Sequence, residues 1–335
     1  MQNKPSVLFV LSVDTEEEWD WTTEFPQHNL QVENVQAIEG FQHECNSIGI
    51  RPTYFADYPV VNNPQSVEVL KSIDQAGQCE IGAHLHPWCN PPIKSGNDEF
   101  ASHVVNLPVN LVEQKLVNLL DKLRASFEQD ICSFRTGRWG INSEVMELLI
   151  KHGIRVDSSV YPFYRNKYFN CDGAPVEPYW PDLSDPLKAQ STQLNGLQSS
   201  IYEIPVSAGF NHTQFALCEK IYRLSTTRAL SFLRVPGIIW QLKLLRKIYL
   251  SPELSSAADM KTLIKVLLKR KAPVIHMNLH SSSLIDLPYN NHPFTREQIL
   301  ENMKKTVGYL QEHANVTFCT ISEAKEILTQ KQGVQ

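Results

Sequence analysis

The sequence lacks several features that would place it in a common class of protein. Its seven cysteines are irregularly spaced and include no Cys-x-x-Cys pair, so reduced and mostly buried thiols are expected rather than disulfides. No Gly-x-Ser-x-Gly segment surrounds a serine, and no glycine-rich phosphate loop follows the first apolar run. These absences argue against a disulfide scaffold, a serine hydrolase of the elbow type and a dinucleotide-binding protein.

A basic excess is also missing, because the formal net charge is −5, and nucleic-acid binding is therefore not expected. No stretch reaches the roughly 18–20 apolar residues that a spanning helix needs. The apolar run 6–13 leads into acidic residues rather than a small-residue cleavage site, which predicts a strand and not a signal peptide. The expected location is cytoplasmic.

The 335 residues are 42% hydrophobic and 20% charged, which is enough to build one large domain over 1–335. Apolar strand-like runs alternate with helical patterns, and this alternation predicts a parallel sheet covered by helices. About seven or eight strands over this length favour an α/β barrel over an open sheet. The predicted strands are 6–13, 51–55, 79–83, 132–135, 154–157, 201–206, 274–279 and 316–320, and the predicted helices are 32–48, 63–76, 110–127, 142–152, 295–313 and 322–328.

Two segments interrupt the alternation and are predicted to be insertions. Segment 161–197 is rich in proline and polar residues, which is typical of a long loop over the active face. Segment 220–250 is basic and apolar and contains no acidic residue. It is predicted either to be a helical pair packed on the barrel or to contact an anionic membrane surface, which would make the protein membrane-associated.

The most informative stretch holds two histidines, His84 and His86, at the end of a strand-like run. Side chains at i and i+2 of an extended segment point the same way, so both imidazoles can converge on one metal ion. Asp14 and Glu16 repeat this spacing at the end of the first run, and His280 ends a late one.

Polar residues also fall where other predicted strands end. In a barrel the chemistry lies at the C-terminal ends of the strands. Asp14, His84, Arg135, Asp157 and His280 all occupy such ends, so one site built from distant parts of the chain is predicted.

Five short blocks, in order, resemble the polysaccharide deacetylases of the NodB-homology or carbohydrate esterase 4 group. They are SVDTE at 12–16, EIGAHLHP at 80–87, FRTGRW at 134–139, DSS at 157–159 and LHS at 279–281. The resemblance extends from Leu8 to about Glu326. It implies a distorted TIM-like (β/α)7 barrel and metal-dependent hydrolysis of an N-acetyl group on a sugar.

The resemblance also implies roles for individual residues. Asp14 would be the general base, His280 the acid that protonates the leaving amine, and Arg135 would orient the base by pairing with Asp14 or Asp157. The divalent ion, zinc first and cobalt, nickel or manganese otherwise, would be held by Glu16, His84 and His86. Substrate contacts would come from Trp88, Trp139, Arg138 and Asp157.

The chain departs from the family pattern at two places. Thr15 stands where the family usually has a second aspartate, and Trp88 stands where it usually has the second histidine. Glu16 and His86 are therefore the predicted replacements. Glu17 is predicted to lie on a solvated face, and His276 to be a core histidine.

The expected substrate is an acetamido-sugar glycan precursor of surface-polysaccharide synthesis, either a nucleotide sugar or a lipid-linked saccharide. Two alternatives stay open at this point. The first is a metal-independent hydrolase of cyclic amides, and the second is a non-catalytic carbohydrate-binding barrel.

Overall fold

The computed structural model describes residues 4–28, 30–94, 96–190, 201–227, 232, 234–288 and 293–333. Its central sheet has eight strands, and every ladder in it is parallel. In chain order the strands of the protein are β1 (Ser6–Thr15), β2 (Thr53–Ala56), β3 (Glu80–Leu85), β4 (Ser133–Thr136), β5 (Val156–Asp157), β6 (Pro181–Asp182), β7 (Asp185–Ala189), β8 (Tyr202–Glu203), β9 (Ala208–Phe210), β10 (Lys247–Tyr249), β11 (Val274–His280) and β12 (Asn315–Phe318).

The strand order in the central sheet is β11-β1-β2-β3-β4-β5-β8, and β12 pairs with the first half of β1. Helices lie between the strands along the chain. They are α1 (Ile38–Ser47), α2 (Tyr58–Asn62), α3 (Pro64–Gln75), α4 (Val109–Ser126), α5 (Ser143–Lys151), α6 (Phe215–Ser225), α7 (Val235–Gln241), α8 (Ala257–Arg270), α9 (Arg296–His313) and α10 (Ile321–Gly333), with short 3-10 turns at Glu33–Ala37, Val104–Asn106 and Ser281–Leu284.

The register of the sheet brings the polar strand ends together. β1 is buried along nine of its ten residues, as expected for a central parallel strand, and its run of apolar side chains stops at Asp14. Asp14 pairs with His280 across β1 and β11, and His84 pairs with Arg135 across β3 and β4. The predicted clustering of these residues at one edge therefore follows from strand pairing.

Irregular backbone bridges the two ends of the strand order, β8 and β11. The amide of Ser207 donates to the carbonyl of His276 over 2.9 Å, and the amide of Leu250 donates to the carbonyl of Ser207 over 2.9 Å. The sheet thus curves into a barrel with one irregular side. The predicted fold class, a distorted TIM-like α/β barrel, is confirmed.

The predicted elements all have counterparts, with ends shifted by a few residues. Sequence patterns missed α2, α6, α8 and the two antiparallel pairs, β6 with β7 and β9 with β10. Helix α8 carries a start signal, because Ser256 caps it by accepting the amide of Asp259.

The two predicted insertions contain regular elements. Segment 161–190 includes the β6–β7 hairpin, and the rest of the predicted loop, 191–197, lies outside the described residues. Segment 220–250 includes the end of α6, all of α7, and β10. The limits of the single predicted domain remain a prediction. Among the described helices, none is both long and apolar enough to cross a membrane.

Glycine at position 82 lets neighbouring strands approach closely. A Cβ there would lie 2.6 Å from a ring carbon of Phe55 and 2.6 Å from the Ser133 hydroxyl. We expect Gly82→Ala to lower the free energy of unfolding by about 1–3 kcal/mol, because the core would be overpacked. Urea unfolding followed by circular dichroism measures the change.

Gly308 in α9 provides the matched control, because a Cβ there meets no heavy atom within 4 Å. Gly308→Ala should raise the free energy of unfolding by about 0.5–1 kcal/mol through helix propensity. Equal effects of the two substitutions would contradict the close packing of β2, β3 and β4.

Candidate active site

A buried ion pair occupies the C-terminal edge of the sheet. A guanidinium nitrogen of Arg135 donates to Asp14 Oδ1, and both side chains are almost inaccessible, at 0% and 2% exposed. Arg135 also donates to the Ser12 hydroxyl over 2.9 Å and to the carbonyl of Ser158 over 3.0 Å. The guanidinium therefore fixes one carboxylate oxygen of Asp14 and leaves the other available.

The second oxygen of Asp14 faces a histidine. Asp14 Oδ2 lies 3.8 Å from Nε2 of His280, whose side chain is 27% exposed. On the other side of the ring, Nδ1 lies 2.7 Å from Oε1 of Glu253. Glu253 also accepts the backbone amide of His280 over 3.0 Å and the Ser283 hydroxyl over 2.6 Å. The buried Glu253 thus orients the imidazole so that Nε2 points to Asp14.

Three further side chains converge beside this pair. The Nε2 atoms of His84 and His86 are 3.1 Å apart, and Glu16 Oε2 lies 3.4 Å from the first and 3.3 Å from the second. All three residues are buried. The structure thus brings together the three metal ligands predicted from the sequence.

The orientation of both rings fits a divalent ion. Nδ1 of His84 lies 3.2 Å from the carbonyl of Arg135, and Nδ1 of His86 lies 2.8 Å from Oε2 of Glu17. Each Nδ1 proton is therefore assigned to a protein acceptor, which leaves Nε2 as the ligand atom. Ligands about 2.0–2.1 Å from an ion in tetrahedral directions lie about 3.3 Å apart, close to the separations found here.

Electrostatics within the cluster favour an anionic Glu16. Burial raises the pKa of Glu16, but the charge of His280 and hydrogen bonds with His84 and His86 outweigh it and hold that pKa below its usual range. Burial lowers the pKa of His84. Burial also lowers the pKa of His86, but the carboxylates of Glu17 and Glu16 outweigh it and raise that pKa well above the ordinary value. Metal binding through His86 must displace its Nε2 proton, so metal affinity should rise with pH.

The prediction that Glu17 lies on a solvated face is wrong. Glu17 is 3% exposed and accepts the indole N–H of Trp88 over 2.6 Å in addition to its contact with His86. Its backbone amide donates to Asp57, which also caps α2. Burial raises the pKa of Glu17, but the charge of His86 and hydrogen bonds from Asp57 and His86 bring it down to about 2. A carboxylate there can hold the His86 ring in place.

Trp88 does not form the substrate wall that the sequence predicted. Its side chain is fully buried, and its ring packs against His86 at 4.2 Å and Phe25 at 4.9 Å between centroids. Residues 16–18 are all acidic, so the sequence pattern does not distinguish Glu17, which is buried, from Glu18, which is half-buried. The indole–carboxylate contact joins residues 71 positions apart, and no local signal marks it.

Glycine at position 137 makes room for the second histidine. A Cβ on Gly137 would lie 2.0 Å from Cδ2 and 2.7 Å from Nε2 of His86. The backbone amide of Gly137 donates to the carbonyl of Leu85, which ties the two loops together. The absence of a side chain at 137 is therefore a condition for the ring position of His86.

A buried lysine stabilises the loop that follows β3. Lys115 Nζ donates to the carbonyls of Pro87, Asn90 and Pro92, each over 2.7 Å. The ammonium lies at the centre of the loop and fixes its backbone, so His86 and Trp88 are carried on a rigid segment.

Trp139 and Arg138 lie at the rim of the site. The ring of Trp139 is half-buried and lies 5.0 Å from the guanidinium carbon of Arg135. The Arg138 guanidinium lies 5.2 Å from the ring of Trp21, which is 47% exposed. Both predicted residues can reach a ligand from here, and Trp21 is an aromatic neighbour that the sequence did not single out.

The position of Asp157 contradicts its predicted contact with substrate. Its side chain is fully buried, accepts the Ser159 hydroxyl over 2.6 Å, and stands opposite Glu203 in the β5–β8 pairing. Burial raises the pKa of Asp157. Arg135 was predicted to pair with Asp14 or Asp157, and it pairs with Asp14.

His276 is buried as expected, and its Nε2 lies 2.8 Å from the Ser12 hydroxyl.

Glu253 is the second functional candidate that the sequence analysis missed. It lies in the turn between β10 and α8, and 27 residues separate it from His280. Its neighbours in sequence show no recognisable motif. Only the backbone contacts between segment 250–253 and β11 reveal the pairing.

No protein-family model and no curated sequence matches the chain. Solved structures do match. A candidate glycoside hydrolase or deacetylase of Parabacteroides distasonis superposes with a TM-score of 0.62 at 11% identity, over 98% of this chain and 71% of that one. A candidate polysaccharide deacetylase of Mycobacterium smegmatis superposes with a TM-score of 0.56 at 12% identity, over 99% and 93%.

The protein is an α/β barrel with a buried cluster of acidic and histidine side chains at the C-terminal edge of its sheet. The chain has the polysaccharide deacetylase fold, as the sequence motifs predicted. At this level of identity the likeness concerns the fold, and the roles of individual site residues stay predictions.

The Glu17–His86 contact generates a test of the metal site. We expect Glu17→Gln to weaken the affinity for Zn²⁺ about 10–100-fold, because the amide cannot fix the ring or raise its basicity as a carboxylate does. Competition with a chromophoric chelator measures the affinity. Glu18→Gln is the matched control, since Glu18 is half-buried and its carboxylate accepts the backbone amide of Asn34 rather than contacting His86. Equal affinities of the Glu17 variant and the wild type would contradict this role.

Proposed function

We propose that the protein is a metal-dependent hydrolase that removes the N-acetyl group from a sugar of a glycan precursor. The observation that carries the proposal is the position of Asp14, with one oxygen held by Arg135 and the other facing His280, next to three side chains that could hold a metal ion. A base, its orienting cation, an acid and a set of metal-ligating side chains at one edge of the sheet exceed what binding alone requires.

The donor set Glu16, His84 and His86 fits Zn²⁺ first, and Co²⁺, Ni²⁺ or Mn²⁺ as alternatives, because imidazole and carboxylate suit all four ions. Glu16, His84 and His86 would hold such an ion, which would supply Lewis-acid polarisation of the acetyl carbonyl and a lower pKa for an attacking water.

The remaining steps belong to side chains of the protein. Asp14 accepts a proton from the attacking water as the water oxygen bonds to the acetyl carbon. Arg135 keeps Asp14 oriented during this transfer. His280 then donates its Nε2 proton to the amide nitrogen, the C–N bond breaks, and acetate and a free amino sugar are released. Glu253 stabilises the protonated form of His280 until this transfer.

We extend the proposal to the substrate and its location. The acetamido sugar is carried on a nucleotide or lipid-linked saccharide of surface-polysaccharide assembly, and the protein works in the cytoplasm. All seven cysteines are free and six are buried, which suits a reducing compartment. The exposed ring of Trp21 and the half-buried ring of Trp139 offer apolar faces for a sugar.

The first test measures acetate release from acetamido-sugar substrates by protein loaded with Zn²⁺, Co²⁺, Ni²⁺ or Mn²⁺. Asp14→Asn should lower kcat by about 10²–10⁴-fold, because the amide cannot accept the proton of water. Asp121→Asn, at an exposed position of α4, is the control and should leave the rate unchanged.

Each alternative predicts a different result. Turnover of a cyclic amide that resists chelators would support metal-independent chemistry. Sugar binding without turnover, unchanged in Asp14→Asn, would support a non-catalytic barrel. Absence of acetate release with every ion would overturn the proposal.

The His280–Glu253 contact predicts a pH effect. Burial lowers the pKa of His280, but the Glu253 carboxylate and then Glu16 raise it to about 10. His280 acts as an acid only when protonated, so activity should decline as pH rises through this pKa. Glu253→Gln removes the carboxylate charge and lowers the pKa, which should move the alkaline limb of kcat to lower pH by at least about one unit.

Glu312→Gln, on the exposed side of α9, removes the same charge away from the site and should leave the pH profile unchanged. An alkaline limb that stays in place in Glu253→Gln would show that His280 is not the acid. The pH profiles are recorded at saturating substrate and metal.

A further inference from the structure

The described part of the chain exposes its large apolar side chains mainly in one region. Eight of the twelve with high exposure lie between positions 217 and 244, and their exposed fractions range from 39% to 87%. The eight are Leu217, Ile221, Leu224, Phe232, Ile238, Trp240, Leu242 and Leu244. Single exposed apolar residues are normal, whereas a group of this size marks an interaction surface.

Helix α6 contributes an apolar stripe that faces away from the core. Leu217, Ile221 and Leu224 are spaced by four and three residues, so they share one face of the helix. Their exposed fractions are 51%, 45% and 62%, whereas Phe215 and Cys218 on the other face are buried. The helix is therefore apolar on both its inner and its outer face.

The region after α6 extends this stripe. A groove of about 490 Å³ is lined on one side by Leu217 and Ile221 and on the other by Ile239, Leu244 and Leu245. Of the exposed apolar residues, Leu217 and Ile221 of α6 and Leu244 after α7 therefore border a shared apolar depression. We call this surface, formed by α6, α7 and residues 242–245, the apolar face.

Basic residues are in excess around the apolar face. Residues 220–250 include seven basic residues and no acidic one, although the whole protein carries a net charge of −5. On the opposite flank of α6, a cavity of about 800 Å³ is lined by the cations Arg165, Lys220, Arg223 and Lys247 together with Asp172 and Glu219. Cations thus outnumber acids beside the exposed apolar stripe.

We propose that the apolar face docks onto an anionic membrane surface. Leucine, isoleucine and tryptophan side chains on amphipathic helices insert at the boundary between headgroups and acyl chains, and flanking Lys and Arg pair with anionic headgroups. The excess of cations favours an anionic lipid surface over a protein partner, because lipid headgroups offer negative charge along the whole face.

Docking would also set the orientation of the proposed active site. The basic cavity includes Phe163 and Arg165, which follow β5 at the same end of the sheet as Asp14 and His280. A lipid-linked saccharide in the membrane would then approach the edge where the catalytic cluster lies. The docking itself requires no turnover, so its test is independent of the proposed reaction.

The experiment is cosedimentation of the full chain with vesicles of phosphatidylglycerol and phosphatidylcholine, compared with phosphatidylcholine alone. Wild-type protein should bind the anionic vesicles more strongly, and added salt should weaken binding. Leu224→Gln combined with Leu242→Gln should lower the partition coefficient by at least about tenfold, because both side chains would lose their contact with the lipid boundary. Circular dichroism and thermal melting check that each variant is folded.

The matched control is Phe100→Gln combined with Leu254→Gln, which removes two side chains of similar exposure, 51% and 49%, outside the apolar face. This control should bind as the wild type does. Lys220→Gln combined with Lys243→Gln should weaken binding to anionic vesicles alone.

Three results would overturn the proposal. The first is the absence of binding to anionic vesicles at low salt. The second is an equal loss of vesicle binding in the control variant. The third is self-association of the wild type, without vesicle binding, that the Leu224 and Leu242 substitutions abolish. The last result would assign the face to contacts between copies of this chain. Analytical ultracentrifugation of each variant distinguishes it.

Discussion

The buried guanidinium of Arg135 connects more of the barrel edge than any other side chain of the proposed site. It contacts Ser12 and Asp14 on β1, Ser158 beyond β5, and Nε2 of His276 on β11 at 3.4 Å. A buried cation without partners costs several kcal/mol, so these contacts must form together for the edge to be stable. The guanidinium carbon also lies 4.5 Å from the ring centroid of Phe55 and 5.0 Å from that of Trp139. The position of Asp14, the proposed base, therefore depends on the packing of this edge of the barrel.

Several ionisable side chains are buried around this cation, which is costly for folding alone. Hydrophobic residues of similar volume often replace buried ion pairs without loss of stability. Here two of the carboxylates instead contact a histidine whose pKa they raise: Glu17 contacts His86, and Glu253 contacts His280. The pKa of His86 rises while that of His84 falls, although the two rings are in contact. Such opposed shifts among neighbours are typical of functional sites.

Sequence patterns predicted the barrel and the strand ends because both follow from local rules. Apolar runs define buried parallel strands, and the register of such strands aligns their C-terminal residues, as with Asp14 and His280. The supporting residues could not be predicted in the same way. Glu253 reaches His280 from a turn. Glu17 turns inward because the Trp88 indole donates to its carboxylate and Asp57 accepts its backbone amide. These contacts depend on loop conformation, which periodicity does not specify.

The spacing of the two histidines is explained by the same supporting contacts. In the family that the sequence motifs resemble, the second histidine usually stands at the position of Trp88. In this chain Trp88 lies beneath the site, where its indole donates to Glu17, and Glu17 in turn fixes His86. Gly137 provides the space into which the His86 ring projects. A histidine at position 88 would lack the buried indole that aligns Glu17, and a larger residue at 137 would displace His86. The predicted pairing of His84 with His86 therefore depends on Trp88, Glu17 and Gly137 together. A change at one of these three residues alone should disturb the position of the His86 ring.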